Sequence, residues 1–340
     1  ISRSDRVCGA ILGVCVADAL GGPVQFHKRG KFTEVTGLRP IKHFKKPTGS
    51  WSDDSSMTLS LAISLIDKGG VFDTSDIAYR FYQWLFKGEL VSSGNEAWDV
   101  GLQTDEAMNV WKDVIDKNLA SKQHPLSNAE FSATQKQIYD SKVLNEVGYT
   151  QGNGSLMRAV PIGLIFRKDM ADRYARATSD ITHPSSVCGD ACVIYTRLVA
   201  LCFEHGHGIH IADELPFKNK AHLAHRISEM DISDNDLRQR LHSRCPPGSV
   251  DPLKEWAQWQ ESAITSSGWV VDTLDSALWA FFTTDTWKEG AMKVVNLGGD
   301  SDTAGAVYGG LAGAYYGAAA IPEEWRKGIQ KAEEVEGIAE

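Results

Sequence analysis

The chain has 340 residues, of which 42% are hydrophobic, 35 are Lys or Arg and 44 are Asp or Glu, so its formal net charge is −9. This length and apolar content allow a buried core, which excludes a disordered or collagen-like protein. The net negative charge repels a phosphate backbone, so direct binding to nucleic acid is not expected.

Apolar residues recur mainly at helical spacing, for example in segments 77–85, 187–201 and 274–282, and strand-like alternation is almost absent. The chain shows no Ser/Gly-rich or Pro-rich linker and no repeat at the period of a solenoid. These patterns predict an all-α fold in which residues 1–340 form a single compact domain of many helices.

The first predicted helix carries small residues at steps of four, namely Gly9, Gly13, Ala17 and Gly21. A glycine inside a helix costs about 0.5–1 kcal/mol relative to alanine. The stripe therefore indicates that another backbone approaches this helix closely.

The next predicted helix begins within segment 51–57, where Ser52, Asp53 and Asp54 precede an apolar run. Serine and aspartate are favoured at helix N-termini by capping and by the helix dipole. A simple N-cap therefore explains the motif when it is considered by itself.

Three weaker motifs follow along the chain. Segment 152–158 is a glycine loop before an apolar helix, an arrangement found in anion sites and in plain turns. His183 precedes another apolar helix, where a cap or surface role is the simpler interpretation, and Trp269 beside Gly268 suits stacking or core packing.

A histidine cluster among glycines indicates a solvated loop rather than a metal site; it comprises His205, His207 and His210.

The last long predicted helix begins at Asp300-Ser301-Asp302-Thr303 and has its own stripe of glycines at 305, 309, 313 and 317. If the two stripes pack on each other or on one common helix, residues 18–25 and 300–303 come towards one site. Segment 304–321 lacks charge over 18 residues, but its Gly, Ala and Tyr content indicates a buried helix rather than a membrane span.

Four carboxylates in one partly buried site would raise one another's pKa unless cations lay between them. An all-oxygen donor set favours hard ions such as Mg²⁺, Mn²⁺ or Ca²⁺ over Zn²⁺. With waters and substrate hydroxyls, six side chains can complete the coordination of two such ions. The residues predicted to hold them are Ser52, Asp53, Asp54, Asp300, Asp302 and Thr303.

Ordered motifs spread over nearly the whole chain carry a resemblance to a known family. They are Ala17-Asp18-Ala19-Leu20-Gly21 through Phe26, Ser52-Asp53-Asp54, Gly152 to Arg158, Thr182-His183, Gly268 to Thr273 and Gly298 to Thr303. Together they resemble the ADP-ribosylglycohydrolases, which include the dinitrogenase reductase-activating glycohydrolase and vertebrate ADP-ribosylhydrolases. The resemblance implies an all-α fold with two Mg²⁺ or Mn²⁺ ions that hydrolyses the N- or O-glycosidic bond of ADP-ribose.

The resemblance also implies roles for individual residues. The metals would orient ribose hydroxyls and position water, with Asp53, Asp54 and Asp300 as candidates to stabilise charge or act as the base. His183 would contact the ADP-ribose, and Trp269 would lie near the adenosine. The diphosphate and ribose would be lined by Gly152, Asn153, Gly154, Ser155 and Met157.

Three positions depart from the pattern of many relatives: Ala17 replaces Gly, Ser52 replaces Thr and Gln25 replaces Glu. Only the last removes a carboxylate from the ligand-binding region, and an amide cannot act as a base at neutral pH. Gln25 therefore indicates a different linkage, a different base, or a relative that binds without cleaving.

The resulting hypothesis is a metal-dependent hydrolase acting on ADP-ribosylated protein, at arginine or serine, or on a small ADP-ribose conjugate. One alternative is an ADP-ribose reader or structural protein; another is a phosphatase with Asp300 and Asp302 after a strand at 294–297.

Six cysteines without CxxC spacing predict buried free thiols and a reducing, cytoplasmic location, which in a eukaryote extends to the nucleus. A monomer without membrane contacts is expected.

Overall fold

The computed structural model describes residues 1–122, 126–140, 151–203 and 219–340. Regular structure in these ranges is helical, and β-type pairing is limited there to three isolated bridges, which confirms the all-α prediction. The helices are α1 (Arg3–Gly21), α2 (Asp53–Asp67), α3 (Thr74–Lys87), α4 (Leu102–Ala120), α5 (Asn128–Asp140), α6 (Val160–Ile165), α7 (Lys168–Ser179), α8 (Ser186–Leu201), α9 (Lys220–Glu229), α10 (Asn235–Arg244), α11 (Pro252–Ala257), α12 (Val270–Phe282), α13 (Trp287–Val295), α14 (Ser301–Tyr316), α15 (Glu323–Arg326) and α16 (Ala332–Ala339).

Helices α1 and α14 pack antiparallel at the centre of the fold, with their glycine stripes in contact. A Cβ atom on Gly309 would lie 2.0 Å from the carbonyl oxygen of Gly13, and one on Gly313 would lie 1.8 Å from that of Gly9. No side chain fits between backbones at this separation. Of the two predicted arrangements, packing of the stripes on each other is therefore the one that the structure shows.

This contact places the C-terminal end of α1 beside the N-terminal end of α14. The Ser301 hydroxyl donates a 3.0 Å hydrogen bond to the carbonyl of Gly21, although the two residues are 280 positions apart. The carboxylates that open α14 are thereby brought next to residues 18–25, as the glycine spacing predicted.

Both central helices are buried. Segment Arg3–Val24 is long and apolar enough to cross a membrane, yet 83% of its most apolar stretch is buried inside the protein. Helix α14 is buried from Ser301 to Ala314, in agreement with the prediction of a buried helix in this part of the chain.

The segments with helical periodicity form α3, α8 and α12. Helix α3 buries one face, including Ile77, Phe81 and Trp84, whereas α12 is buried along its whole length beside α14. Asp73 caps the N-terminus of α3, and Gly88 ends it in the left-handed conformation. Local sequence signals therefore agree with the fold in these segments.

Two further predictions concern residues 294–297 and the cysteines. Val294 and Val295 belong to α13, so the strand that the phosphatase alternative requires is replaced by a helix end and that alternative is wrong. All six cysteines are free and five of them are buried, as predicted; Cys8 is half-buried.

Candidate active site

A cavity of about 760 Å³ opens where the starts of α2, α4, α12 and α14 meet the segment after α1 and the loop before α6. This size is typical of a pocket for a ligand of several hundred daltons. Its polar lining residues are Gln25, Asp53, Asp99, Gln103, Thr104, Gln151, Asn153, His183, Trp269, Asp300, Asp302 and Thr303.

The carboxylates at the two predicted helix starts lie together. The Ser52 hydroxyl donates a 3.0 Å hydrogen bond to Oδ2 of Asp54. The Thr303 hydroxyl lies 3.4 Å from the same oxygen and 3.3 Å from Oδ1 of Asp300. Ser52 is the N-cap residue of α2, but its side chain makes no capping hydrogen bond, so the motif does more than cap a helix.

Asp18 holds this arrangement in place from α1. Its carboxylate accepts hydrogen bonds from the backbone N–H groups of Ser52 and Ser55, and from the Ser55 hydroxyl at 2.6 Å. These donors fix the first turn of α2, because they satisfy backbone groups that have no partner within the helix. Sequence reasoning placed Asp18 near the site without giving it this role.

The donor set fits a divalent cation. Carboxylate oxygens of Asp18, Asp54 and Asp302 lie within 4.8 Å of one another. Oδ1 of Asp54 and Oδ1 of Asp302 are buried and have no hydrogen-bond partner among the described residues. A buried carboxylate oxygen without a donor is costly, and a hard cation supplies the missing positive charge.

The pKa values of the clustered carboxyl groups show that their negative charges are buried and repel one another. Burial, followed by neighbouring carboxylates, raises the pKa of Asp53, Asp54 and Asp302 well above the ordinary value. Burial raises the pKa of Asp18 to about 7, against the hydrogen bonds from Ser55 and Ser52 that lower it. The cluster therefore favours cations that reduce this repulsion.

Asp99 is a further carboxylate of the site, and sequence reasoning missed it. It lies in the loop before α4 with a left-handed φ of 57°, and burial raises its pKa. The amide of Gln25 donates a 2.7 Å hydrogen bond to Oδ2 of Asp99, and Asp302 is a further neighbour that affects the pKa of Asp99. A single aspartate in a loop has no pattern by which the sequence could reveal it.

The glycine loop is joined to the start of α12 and to the carboxylates. Gly152 and Trp269 form an isolated bridge, and the N–H of Asn153 donates to the carbonyl of Gly268 at 3.1 Å. The Asn153 amide donates to Oδ2 of Asp300 at 2.7 Å and to the Thr273 hydroxyl at 2.8 Å. Three predicted motifs, namely the glycine loop, segment 268–273 and segment 300–303, therefore meet at this one asparagine.

The helix after this loop is short. Helix α6 starts at Val160, with Pro161 in its first turn where proline is favoured, so turns rather than a helix N-terminus line the cavity. The buried guanidinium of Arg158 holds the segment before the helix by donating to the carbonyls of Gly154 and Thr178. A Cβ atom on Gly154 would lie 2.8 Å from Cε1 of His183, so this glycine makes room for the imidazole.

His183 is buried, so the interpretation as a surface or capping residue is wrong; Ser185 caps α8 instead. Nδ1 of His183 lies 2.7 Å from the Thr182 hydroxyl. Burial and the nearby charge of Arg158 hold the pKa of His183 well below its usual range, so the imidazole is neutral at pH 7. A neutral ring at the cavity wall can donate or accept one hydrogen bond to a ligand.

Trp269 lies at the cavity wall and is held at several points. Its indole N–H donates to the side chain of Gln151 at 2.8 Å, and its backbone N–H donates to the Ser267 hydroxyl. The Arg240 guanidinium lies 5.6 Å from the centre of its ring. The indole is therefore fixed in position before any ligand binds.

The remaining candidates are placed as follows. Gln25 and Met157 line the cavity, whereas Ser155 is fully buried outside its lining and its hydroxyl lies 2.8 Å from that of Ser179. The predicted solvated loop with the three histidines falls within residues 204–218, outside the described ranges.

Comparisons with known proteins identify the family to which the chain is similar. The sequence profile of the ADP-ribosylglycohydrolase family matches residues 1–340. An ADP-ribosylarginine hydrolase, Tri1, of Pseudomonas putida is 26% identical over 99% of this chain and 77% of its own length. The ADP-ribosyl-[dinitrogen reductase] glycohydrolase of Rhodospirillum rubrum is 29% identical over 95% and 90%, and human ADP-ribosylhydrolase ARH3 is 23% identical over 98% and 92%.

A solved structure described as an ADP-ribosylglycohydrolase-related protein complex superposes with a TM-score of 0.71 at 29% identity, covering 99% of this chain and 96% of the other. The likeness extends over the whole fold, including the helix starts that carry the carboxylates. The resemblance inferred from the motifs is confirmed, and the chain belongs to the ADP-ribosylglycohydrolase family of enzymes.

Proposed function

We propose that the enzyme hydrolyses the glycosidic bond between the distal ribose of ADP-ribose and a protein side chain, with arginine as the first candidate acceptor. Supporting the choice of arginine, the relatives of Pseudomonas putida and Serratia proteamaculans are named ADP-ribosylarginine hydrolases. The observation that carries the proposal is the hydrogen bond from Asn153, in the glycine loop, to Asp300 of the carboxylate cluster, within one cavity.

The same residues support a metal-dependent reaction with two ions, Mg²⁺ or Mn²⁺. Divalent cations, when bound, supply Lewis-acid stabilisation of charge and lower the pKa of water. The observation that favours them is that Oδ1 of Asp54 and Oδ1 of Asp302 have no hydrogen-bond partner in the part of the chain that the structure describes. The residues proposed to hold them are Ser52, Asp53, Asp54, Asp300, Asp302 and Thr303.

Other steps of the proposed reaction depend on side chains of the protein. Asp53 and Asp300 line the cavity, whereas Asp54 lies behind them, so the first two are the stronger candidates to stabilise an oxocarbenium-like state or accept a proton from water. Asn153 fixes the orientation of Asp300 through its 2.7 Å hydrogen bond. Asp99 is a further candidate, because it also lines the cavity.

The other side of the cavity suits the nucleotide. Gly152, Asn153, Gly154 and Met157 line it, with the neutral ring of His183 and the fixed indole of Trp269 nearby. Trp269 offers an aromatic surface on which a base can stack. Ser155 supports this wall from outside the lining through its contact with Ser179.

The first experiment measures release of ADP-ribose from arginine-linked and serine-linked conjugates, with Mg²⁺, with Mn²⁺ and with EDTA. We expect release from the arginine conjugate that is lost in EDTA and restored by the cation. ADP-ribose binding measured by calorimetry without release from either conjugate would instead support the reader alternative, which no observation on the described residues favours.

A second prediction concerns Gln25. In Gln25→Glu, the amide that donates to Asp99 becomes a carboxylate, so two negative groups meet where a 2.7 Å hydrogen bond existed. This repulsion displaces Asp99 from its position beside Asp302. We expect kcat/KM to change by about tenfold or more, with a different ratio between arginine-linked and serine-linked substrates.

The matched control is Gln103→Glu. Gln103 also lines the cavity, but its side-chain oxygen accepts from the N–H of Gly152 at 3.3 Å, and glutamate keeps that acceptor. We expect the ratio between the two substrates to stay unchanged in this variant. Equal kinetics of Gln25→Glu and the unmodified enzyme on both substrates would show that Gln25 does not set the linkage preference.

A cytoplasmic location is also proposed. It is supported by the six free thiols, since disulfides are rare in reducing compartments. The monomeric state remains a prediction, and size-exclusion chromatography with light scattering measures it directly.

A further inference from the structure

The segment that follows α1 has a charge opposite to that of the whole chain. Residues 27–46 contain seven Lys and Arg residues and one Glu, whereas the formal net charge of the chain is −9. Lys28, Lys31, Lys42 and Lys45 are exposed and form no ion pair within the described ranges. Such a concentration of unpaired charge attracts acidic groups from solution.

Aromatic rings connect this basic segment to the cavity. The ring of Phe26 lines the cavity, is 68% exposed and lies 6.2 Å from His43 and 6.5 Å from Phe44, measured between ring centres. Phe44 in turn lies 5.3 Å from Trp98, the residue before Asp99. Lys42 and Lys45 flank His43 and Phe44 in the sequence, and Nζ of Lys46 lies 5.2 Å from the centre of the Trp98 ring, so positive charge accompanies these rings.

The exposure of Phe26 is imposed by the backbone. Its φ of 64° is left-handed, which is rare for a bulky residue. The conformation is held by a hydrogen bond from the N–H of Phe26 to the carbonyl of Gly299, and by one from the N–H of Gly299 to the carbonyl of His27. A ring kept in solvent at a cavity mouth by its backbone is available for contact with a partner.

The position of these residues relative to the carboxylates identifies the partner. The N–H of Phe26 donates to the carbonyl of Gly299, the residue before Asp300, and the amide of its neighbour Gln25 donates to Asp99, whereas the nucleotide wall is formed by other residues. If the proposed function is correct, the glycosidic bond lies at the carboxylates, and the modified protein extends from the cavity past Phe26. This inference rests on the proposed function.

We propose that residues 26–46 together with Trp98, here called the acceptor-docking surface, bind an acidic surface of the modified protein around its ADP-ribosylated residue. Positive side chains attract acidic residues of the partner and accelerate encounter, and the aromatic rings supply contact area beside the modified side chain. The surface thereby selects among acceptor proteins by the charge around the modified position.

The experiment uses three peptides, each with one ADP-ribosylarginine flanked by acidic, neutral or basic residues. We expect kcat/KM to be about tenfold higher for the acidic than for the neutral peptide in about 50 mM NaCl, and this preference to fall in about 500 mM NaCl. Lys42→Glu/Lys45→Glu should lose the preference or favour the basic peptide, while cleavage of free ADP-ribosylarginine stays unchanged.

The control variant is Lys117→Glu/Lys254→Glu, which makes the same change in net charge at two exposed positions elsewhere. Lys117 lies about 22 Å along α4 from the cavity residue Leu102. We expect this variant to keep the preference for the acidic peptide. Loss of the preference in both variants would show that net charge, rather than the acceptor-docking surface, determines it.

Binding of unmodified acidic and neutral peptides, measured by fluorescence anisotropy, tests the surface independently of turnover. Failure to cleave any conjugate would overturn the proposed function, whereas equal binding of the acidic and neutral peptides would overturn the docking proposal alone. Binding of single-stranded RNA that Lys42→Glu/Lys45→Glu abolishes, without peptide binding, would assign the surface to nucleic acid and also overturn the docking proposal.

Discussion

Replacing Asp302 by Asn is expected to lower the rate of ADP-ribose release by about 10³-fold, which corresponds to several kcal/mol of lost stabilisation. Oδ1 of Asp302 is one of two buried carboxylate oxygens of the cluster without a hydrogen-bond partner among the described residues. The amide keeps the volume of the side chain but weakens it as a cation ligand. Initial rates with saturating Mn²⁺ and Mg²⁺ measure the loss.

The fold should survive this substitution, because Asp302 lies among Asp99, Asp300 and Asp54 and its removal relieves repulsion between buried carboxylates. Thermal unfolding separates the two effects. A divalent cation at about 100 times its Kd stabilises a protein that binds it by about 2.7 kcal/mol. We expect this shift in the unmodified protein and a much smaller one in Asp302→Asn.

The control is Asp236→Asn, the same change in the first helical turn of α10 at an exposed position. Both release and the cation-dependent shift should be retained in that variant. An Asp302→Asn protein with full turnover and the full thermal shift would contradict the assignment of this carboxylate to the cation site.

A second large effect is expected from Gly309→Ala in α14. The new methyl group would lie 2.0 Å from the carbonyl oxygen of Gly13 and 2.7 Å from Cβ of Ala17, and a helix backbone cannot yield as a flexible side chain can. We expect the free energy of unfolding to fall by about 3 kcal/mol. Urea denaturation followed by circular dichroism measures it.

Two variants accompany this test. Gly305→Ala places its methyl group 2.7 Å from the carbonyl oxygen of Ala17, so it should cost less than Gly309→Ala and stay folded. Gly337→Ala, in the exposed part of α16 with no atom within 4 Å, should stabilise the protein by about 0.5–1 kcal/mol. Equal stabilities of Gly309→Ala and Gly337→Ala would contradict close packing of α1 on α14.

The fold was largely predictable because its determinants are local or periodic. Helical spacing predicted α3, α8 and α12, and the glycine steps predicted the packing of α1 on α14. Carboxylates at helix starts could be found for the same reason, since Ser52-Asp53-Asp54 and Asp300 to Thr303 stand in recognisable patterns.

The remainder of the site depends on tertiary contacts that leave no pattern. Asp99 is held at the cavity by a hydrogen bond from Gln25, which is 74 positions away in the sequence. Arg158 is buried because its guanidinium donates to the carbonyl of Thr178, which belongs to a later helix. Side chains whose position is set by distant partners cannot be assigned from their sequence neighbours.

The antiparallel packing of α1 on α14 has a consequence for the timing of folding. Asp54 and Thr303, which meet in the carboxylate cluster, are 249 positions apart, so the ribosome makes one half of the site long before the other. Contacts between distant parts of a chain form slowly because a long loop must close first. During synthesis the carboxylates of α2 are therefore formed before their partners in α14, and the site is completed only when α14 packs on α1.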